Sequence, residues 1–182
     1  MFIQTETTPN PVSLKFIPGE PVSPRKNHDF TSLEDGSCSP LAQLIFAIEG
    51  VSGVFLGSDF ISVTISDGEW QEIKPQVLGA IMQHYSSGQP VLTDDQSEAL
   101  DDSEEDDEVV AQIKAILDEK VRPAVAQDGG DIVFEGFEDG VVFLKLQGAC
   151  AGCPSSTMTL KHGIENLLKY YIPDVTEVRQ AQ

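Results

Sequence analysis

Cysteine is scarce in this 182-residue chain. There are only three, at positions 38, 150 and 153, too few and too unevenly spaced for a secreted disulfide framework. A reducing compartment fits that usage. Basic side chains are also short in supply, with 11 Lys and Arg against 30 Asp and Glu and a formal net charge of −19. Nucleic acid and anionic lipid would repel such a surface before contact, so neither is an expected partner. No apolar run approaches the roughly 18–20 residues that a membrane span needs; residues 44–48 and 141–144 are core-sized pieces. The first residues carry no apolar signal core flanked by Lys or Arg, and 2–6 read as a strand, so secretion is not expected. No G-x-x-x-x-G-K loop occurs, and the order of Ser, His and Asp suggests no catalytic triad. Enzymatic turnover is not expected.

What is abundant is acid, and it is concentrated. The run TDDQSEALDDSEEDDE from Thr93 to Glu108 holds ten acids and no base. It cannot bury enough apolar surface to offset its ordering entropy, which predicts a disordered, self-repelling linker over 93–107. Two modules of an α+β protein follow, 1–92 and 108–182.

In the first module, 2–6 and 14–16 pattern as strands with Thr8-Pro9-Asn10-Pro11 turning between them. Ser39-Pro40 opens a helix with Leu41, Leu44, Ile45 and Ile48 on one face, and Gly50 closes it. Strands at 54–56 and 61–65 flank a turn at 57–59, and 72–85 reads as a final helix that begins irregularly at Pro75.

The second module is expected in the order α-β-β-α-(β). Val109, Ile113, Ile116, Leu117 and Val121 recur at helical spacing until Pro123, which should kink or end that helix. Asp128-Gly129-Gly130-Asp131 is a turn into a hairpin centred on Asp139-Gly140. A two-residue turn there puts Val133 and Phe137 on one face with Val142, Leu144 and Leu146. Leu160, Ile164, Leu167, Leu168 and Tyr171 form the helical stripe to cover that face, on a helix over about 155–170. Pro173 stops it, and 175–179 suits a short last strand.

Gly148-Ala149-Cys150-Ala151-Gly152-Cys153-Pro154 lies between the hairpin and this helix. Cys150 and Cys153 are therefore expected at a helix N-terminus, where unpaired amides and the dipole favour thiolate. Spacing alone leaves several readings open. A dithiol redox pair lacks the preceding βαβ context of such enzymes. A zinc site wants four ligands, and the remaining candidates, His28, His84 and His162, are scattered. Two buried core cysteines fit poorly with the surrounding glycines. A two-fold axis would turn two thiolates into four, which suits a 4Fe-4S or a 2Fe-2S cluster. Cys38 reads as an ordinary non-ligand cysteine.

The motifs Arg122-Pro123, Asp128-Gly129-Gly130-Asp131, Cys150-Ala151-Gly152-Cys153-Pro154 and Tyr171-Ile172-Pro173 closely resemble the Nfu family of NifU-like iron-sulfur carriers. The first module resembles that family's N-terminal domain through Met1-Phe2-Ile3-Gln4, Thr8-Pro9-Asn10-Pro11, Leu14-Lys15-Phe16, Ser39-Pro40-Leu41-Ala42 and Asp59-Phe60-Ile61-Ser62-Val63-Thr64. The acidic linker is longer than the family pattern suggests. The resemblance implies a 4Fe-4S cluster, one per homodimer, held by Cys150 and Cys153 of both chains, with a 2Fe-2S form also open. It implies cluster acceptance from iron-sulfur scaffold proteins and delivery to apo iron-sulfur enzymes. A dithiol redox protein using the same pair is the alternative. The expected location is the bacterial cytoplasm or, for a mature form without its transit peptide, the mitochondrial matrix.

Overall fold

A computed structural model of the chain describes residues 2–93, 107–151 and 153–181, without the side chains of 154–156. The expected disordered linker lies, but for its end residues Thr93 and Asp107, outside the described residues. Two α+β modules are present, each with its own buried cluster. Among the described residues no helix is long and apolar enough to cross a membrane.

The first module is a five-stranded antiparallel sheet with two helices on one face. Its strands are β1 (Gln4–Thr7), β2 (Ser13–Ile17), β3 (His28–Phe30), β4 (Val51–Leu56) and β5 (Ile61–Ile65), in the order β1-β2-β5-β4-β3. Alternation decides the faces: Phe16, Val54, Leu56, Ile61 and Val63 are buried in the core with Leu41 and Ile45 of α1 (Pro40–Phe46) and Val77 and Ile81 of α2 (Trp70–Ser87). Ser39 caps α1 as expected, its Oγ accepting from Ala42 N at 3.1 Å and donating to Val91 O at 2.6 Å. α2 starts at Trp70, ahead of Pro75, so this proline sits within the helix and does not open it. β3 and a short 3-10 turn over Asp35–Cys38 carry no periodic pattern and are additions to the expected elements. Thr93 is tied back to this module, its N–H and hydroxyl both donating to Cys38 O at 2.8 and 3.0 Å.

In the second module α3 (Glu108–Ile116) runs through a π-helical segment, Leu117–Val121, into α4 (Arg122–Gln127). Pro123 does not end the helical run but stands in the first turn of α4, directly after the π-helical segment. The wider π turn just before it accommodates a residue that has no N–H to donate. The hairpin of β6 (Gly130–Glu138) and β7 (Val141–Gly148) turns at Asp139-Gly140 as expected, and β8 (Glu177–Gln180) adds in parallel to β7. One expectation fails. A bulge between Phe134 and Gly136 shifts the register, so Ile132 pairs with Leu146 and Val133 with Lys145. Because side chains alternate, one extra residue moves Val133 off the core face and puts Ile132 there, 1% exposed. Helix α5 (Pro154–Tyr171) covers the sheet through Ile164 and Leu168. Tyr171, expected on the buried stripe, is 48% exposed.

Candidate functional site

The cysteine pair is set by backbone. β7 ends at Gly148 in a left-handed conformation (φ 64°), and the chain folds over the Gly129-Gly130 turn. Ala149 N donates to Gly129 O at 3.1 Å, and Ala151 N closes a turn onto Gly148 O at 3.0 Å. Gly130 has to be glycine for reasons of space, since a Cβ there would lie 2.5 Å from Cys150 Sγ and 2.7 Å from Gln147 O. The Asp-Gly-Gly-Asp stretch, read from sequence as a turn into the hairpin, is thus also the floor on which Cys150 rests. Adjacent glycines are the signal that could have shown it.

Cys153 sits at the N-cap of α5, its carbonyl accepting from Thr157 N at 3.1 Å and Thr157 Oγ1 at 2.6 Å. Its Sγ makes no cap hydrogen bond and lies 3.7 Å from Pro9 O. Neither cysteine is in a disulfide, and both are almost wholly buried, Cys150 at 4% and Cys153 at 1% exposure. The expected helix-terminal activation does not reach Cys150. Burial pushes its thiol up to about 12, with Asp128, Cys153 and Asp131 adding to the rise. Desolvation and nearby negative charge outweigh a dipole whose first turn begins beyond Cys153. Beside Cys150, an apolar groove of about 440 Å³ runs between Val121 and Ala124 on one side and Leu160, Ile164 and Leu167 on the other.

Asp131 fixes the turn from below. It is 4% exposed; its Oδ1 accepts from Ile132 N at 2.8 Å and faces Arg122 Nε at 3.5 Å. Its Oδ2 accepts from Asn27 Nδ2 at 2.7 Å. Lys15, which sequence reasoning did not single out, is also at the site: its ammonium donates to Ala126 O at 3.0 Å and Gln127 O at 3.4 Å. These are last-turn carbonyls of α4, which a cation satisfies well. A single lysine in an alternating strand gives no sign of such a role.

Of the residues considered from sequence, Cys150 and Cys153 are brought into one loop, while Cys38 lies half-buried in the first module. His84 is buried within α2, and His28 is in β3. Among the described residues no group of three or more His, Cys, Asp and Glu converges where it could hold a metal ion. Among the described residues the two cysteines thus stand without a third side chain of that kind beside them.

The model of the family described as "NifU-like domain" matches residues 113–179, and that of "Scaffold protein Nfu/NifU N terminal" matches residues 3–88. The chain is 53% identical over its whole length to the human protein named NFU1 iron-sulfur cluster scaffold homolog, mitochondrial, of which it spans 72%. It is also 53% identical to the protein of that name from Drosophila sechellia, of which it spans 65%. The solution structure of a NifU-like protein from Saccharomyces cerevisiae is similar at 26% identity, covering 52% of this chain and 87% of that one with a TM-score of 0.47. With both domain types present in order and a relative this similar from end to end, the chain belongs to the Nfu family.

Proposed function

We propose that this protein is an iron-sulfur cluster carrier that holds a 4Fe-4S cluster between two chains, through Cys150 and Cys153 of each, and passes it to apo-proteins. The observation that carries the reading is the pairing of two thiols in one glycine-framed loop with no further ligand group around them among the described residues. A two-fold axis through two such loops supplies the four thiolates a cluster takes. Its relatives are named as iron-sulfur cluster scaffolds, which supports cluster handling. The cluster is cargo here. Separating the chains halves its ligand set and leaves iron open to thiolates of an acceptor, so the same geometry that binds also releases. Donors would be scaffold proteins and acceptors apo iron-sulfur enzymes.

The domain limits 1–92 and 108–182 and the spacer role of 93–107 belong to the same proposal. Of the two expected compartments, the mitochondrial one has support in the names of the relatives, and the bacterial cytoplasm has none there. Anaerobic reconstitution, followed by iron, sulfide and zinc analysis, Mössbauer spectra and mass in solution, tests the reading. One 4Fe-4S cluster per two chains is expected, with transfer to an apo-enzyme followed by its activity. Stoichiometric zinc without sulfide, a full cluster on a monomer, or a disulfide-cycling protein that takes up no iron would overturn it.

A further inference from the structure

The antiparallel register of the first sheet sets five residues in one rank across all five strands. Glu6 pairs with Lys15, Lys15 with Ser62, Ser62 with Phe55, and Phe55 with Asp29. Directly paired residues share a face, and this face is the one that α1 and α2 do not cover. In an antiparallel sheet such a face ordinarily meets water. Over its middle strands it does not: Lys15 is 8% exposed, and Ser62 and Phe55 are each 1% exposed.

What covers the rank is the cysteine loop and its floor. Ser62 Oγ donates to Gly129 O, and Lys15 caps α4 as described. The Asp29 carboxylate lies near the Gly148 amide and the Lys145 ammonium, both of which oppose the rise in its pKa that burial causes. Phe55 packs against Gly148 so closely that a Cβ there would lie 2.9 Å from its ring. Asn27 reaches Asp131, and Pro9 O faces Cys153 Sγ. Every one of these contacts joins the first module to the segments just before or around Cys150 and Cys153.

We infer that the outer face of the first module's sheet is a docking surface for the cysteine loop of its own chain, a cap that shuts the Cys153 thiol until it is displaced. Two chains sharing a cluster through these thiols need the loops to meet each other, and the rank occupies the same place. Capping and cluster sharing therefore exclude one another, a conclusion that rests on the carrier reading for its second half only. The first half concerns the apo-protein alone. Polar contacts dominate the surface, with a single aromatic residue in the rank, which suits a contact that opens and recloses, because the exposed face remains well hydrated.

The test uses the full apo-chain and two variants at the cap, Lys15→Glu, which also removes the ion pair of Lys15 with Glu6 inside the first module, and Ser62→Arg. In the closed form Lys15→Glu sets a carboxylate against two carbonyl oxygens and Ser62→Arg overfills the contact with Gly129. In the open form both side chains are hydrated. Alkylation of each cysteine is followed by mass spectrometry, with Cys38 as internal reference for an intact first module, and the radius of gyration is measured by small-angle scattering. Both variants should label Cys153 about tenfold faster or more than the unaltered chain, as expected for losing a charge-assisted contact. Their radius should rise while Cys38 labelling stays the same. Equal Cys153 labelling and equal radius in all three proteins would overturn the cap. A protected Cys153 that opens in the variants, in a protein that never takes up a cluster, would overturn the carrier reading and leave the cap standing.

Discussion

Replacing Gly130 by Ala should damage this protein at its centre. Gly130 is fully enclosed where β6 begins; its new Cβ would meet Cys150 Sγ at 2.5 Å, Gln147 O at 2.7 Å and Cys150 Cβ at 2.9 Å. Two of those neighbours belong to the cysteine side chain and one to the paired strand's backbone, so no flexible side-chain end can give way. Overpacking of this kind costs about 1–3 kcal/mol, and for a domain of this size each kcal/mol moves the midpoint by about 4–8 °C. The thermal midpoint of the second module, read by circular dichroism, should therefore fall by about 4–24 °C. Gly136→Ala is the control in the same strand, because a Cβ there meets nothing within 4 Å. Since two of the three clashes are with Cys150, which has to shift to relieve them, cluster uptake should fall with stability, whereas Gly136→Ala should retain it. A Gly130→Ala protein that melts with Gly136→Ala and loads a full cluster would refute the reasoning that this glycine is the floor of the site.

Cys150→Ala and Cys153→Ala should each abolish cluster binding and Cys38→Ala should preserve it, as iron and sulfide analysis will show. Gly163→Ala lies within α5 with open space around it, so it should stabilise the second module by roughly 1 kcal/mol in denaturant unfolding. Ser39→Ala removes both the α1 cap and the bond to Val91 O, and should destabilise the first module by about 1–2 kcal/mol. Burial holds the His84 imidazole below its ordinary value of 6.5, and among the described residues neither ring nitrogen has a hydrogen-bond partner. The unfolded chain then binds the proton more readily than the folded one, so stability present above 6.5 declines as pH falls from there toward the lowered value. His84→Met should flatten that acid slope in urea titrations, and an unchanged slope would assign the loss to other groups.

Much of this architecture could be read from local signals. Asp139-Gly140 announced its hairpin because a tight turn is a two-residue decision, and Ser39-Pro40 announced α1 because capping involves neighbours in sequence. Cys150 and Cys153 stood out for the same reason. The bulge at Phe134 and Gly136 did not, because Glu135 is an ordinary strand residue and only the pairing with β7 reveals it as extra. β3 did not, because three residues carry too little periodicity. The burial of Cys150 and its reluctance to ionise arise from Asp128, Asp131 and Gly130 around it, and the burial of Lys15 arises from another module altogether. Such effects depend on distance in space, which spacing in sequence does not encode.

The anchoring of Thr93 to Cys38 fixes where the first module releases the chain, and α3 takes it up again at Glu108. Residues 94–107 can reach at most about 50 Å between those points. A connection of that length keeps the sheet face and the cysteine loop at a mutual effective concentration on the order of millimolar. The contact can therefore be intrinsically feeble and still be occupied much of the time. In the proposed carrier a second chain competes against that tether and prevails only through bonds the tether cannot offer, those of thiolate to iron. The length of the connection thus sets a threshold for loading, and shortening or lengthening it would move that threshold without altering a single residue at the site.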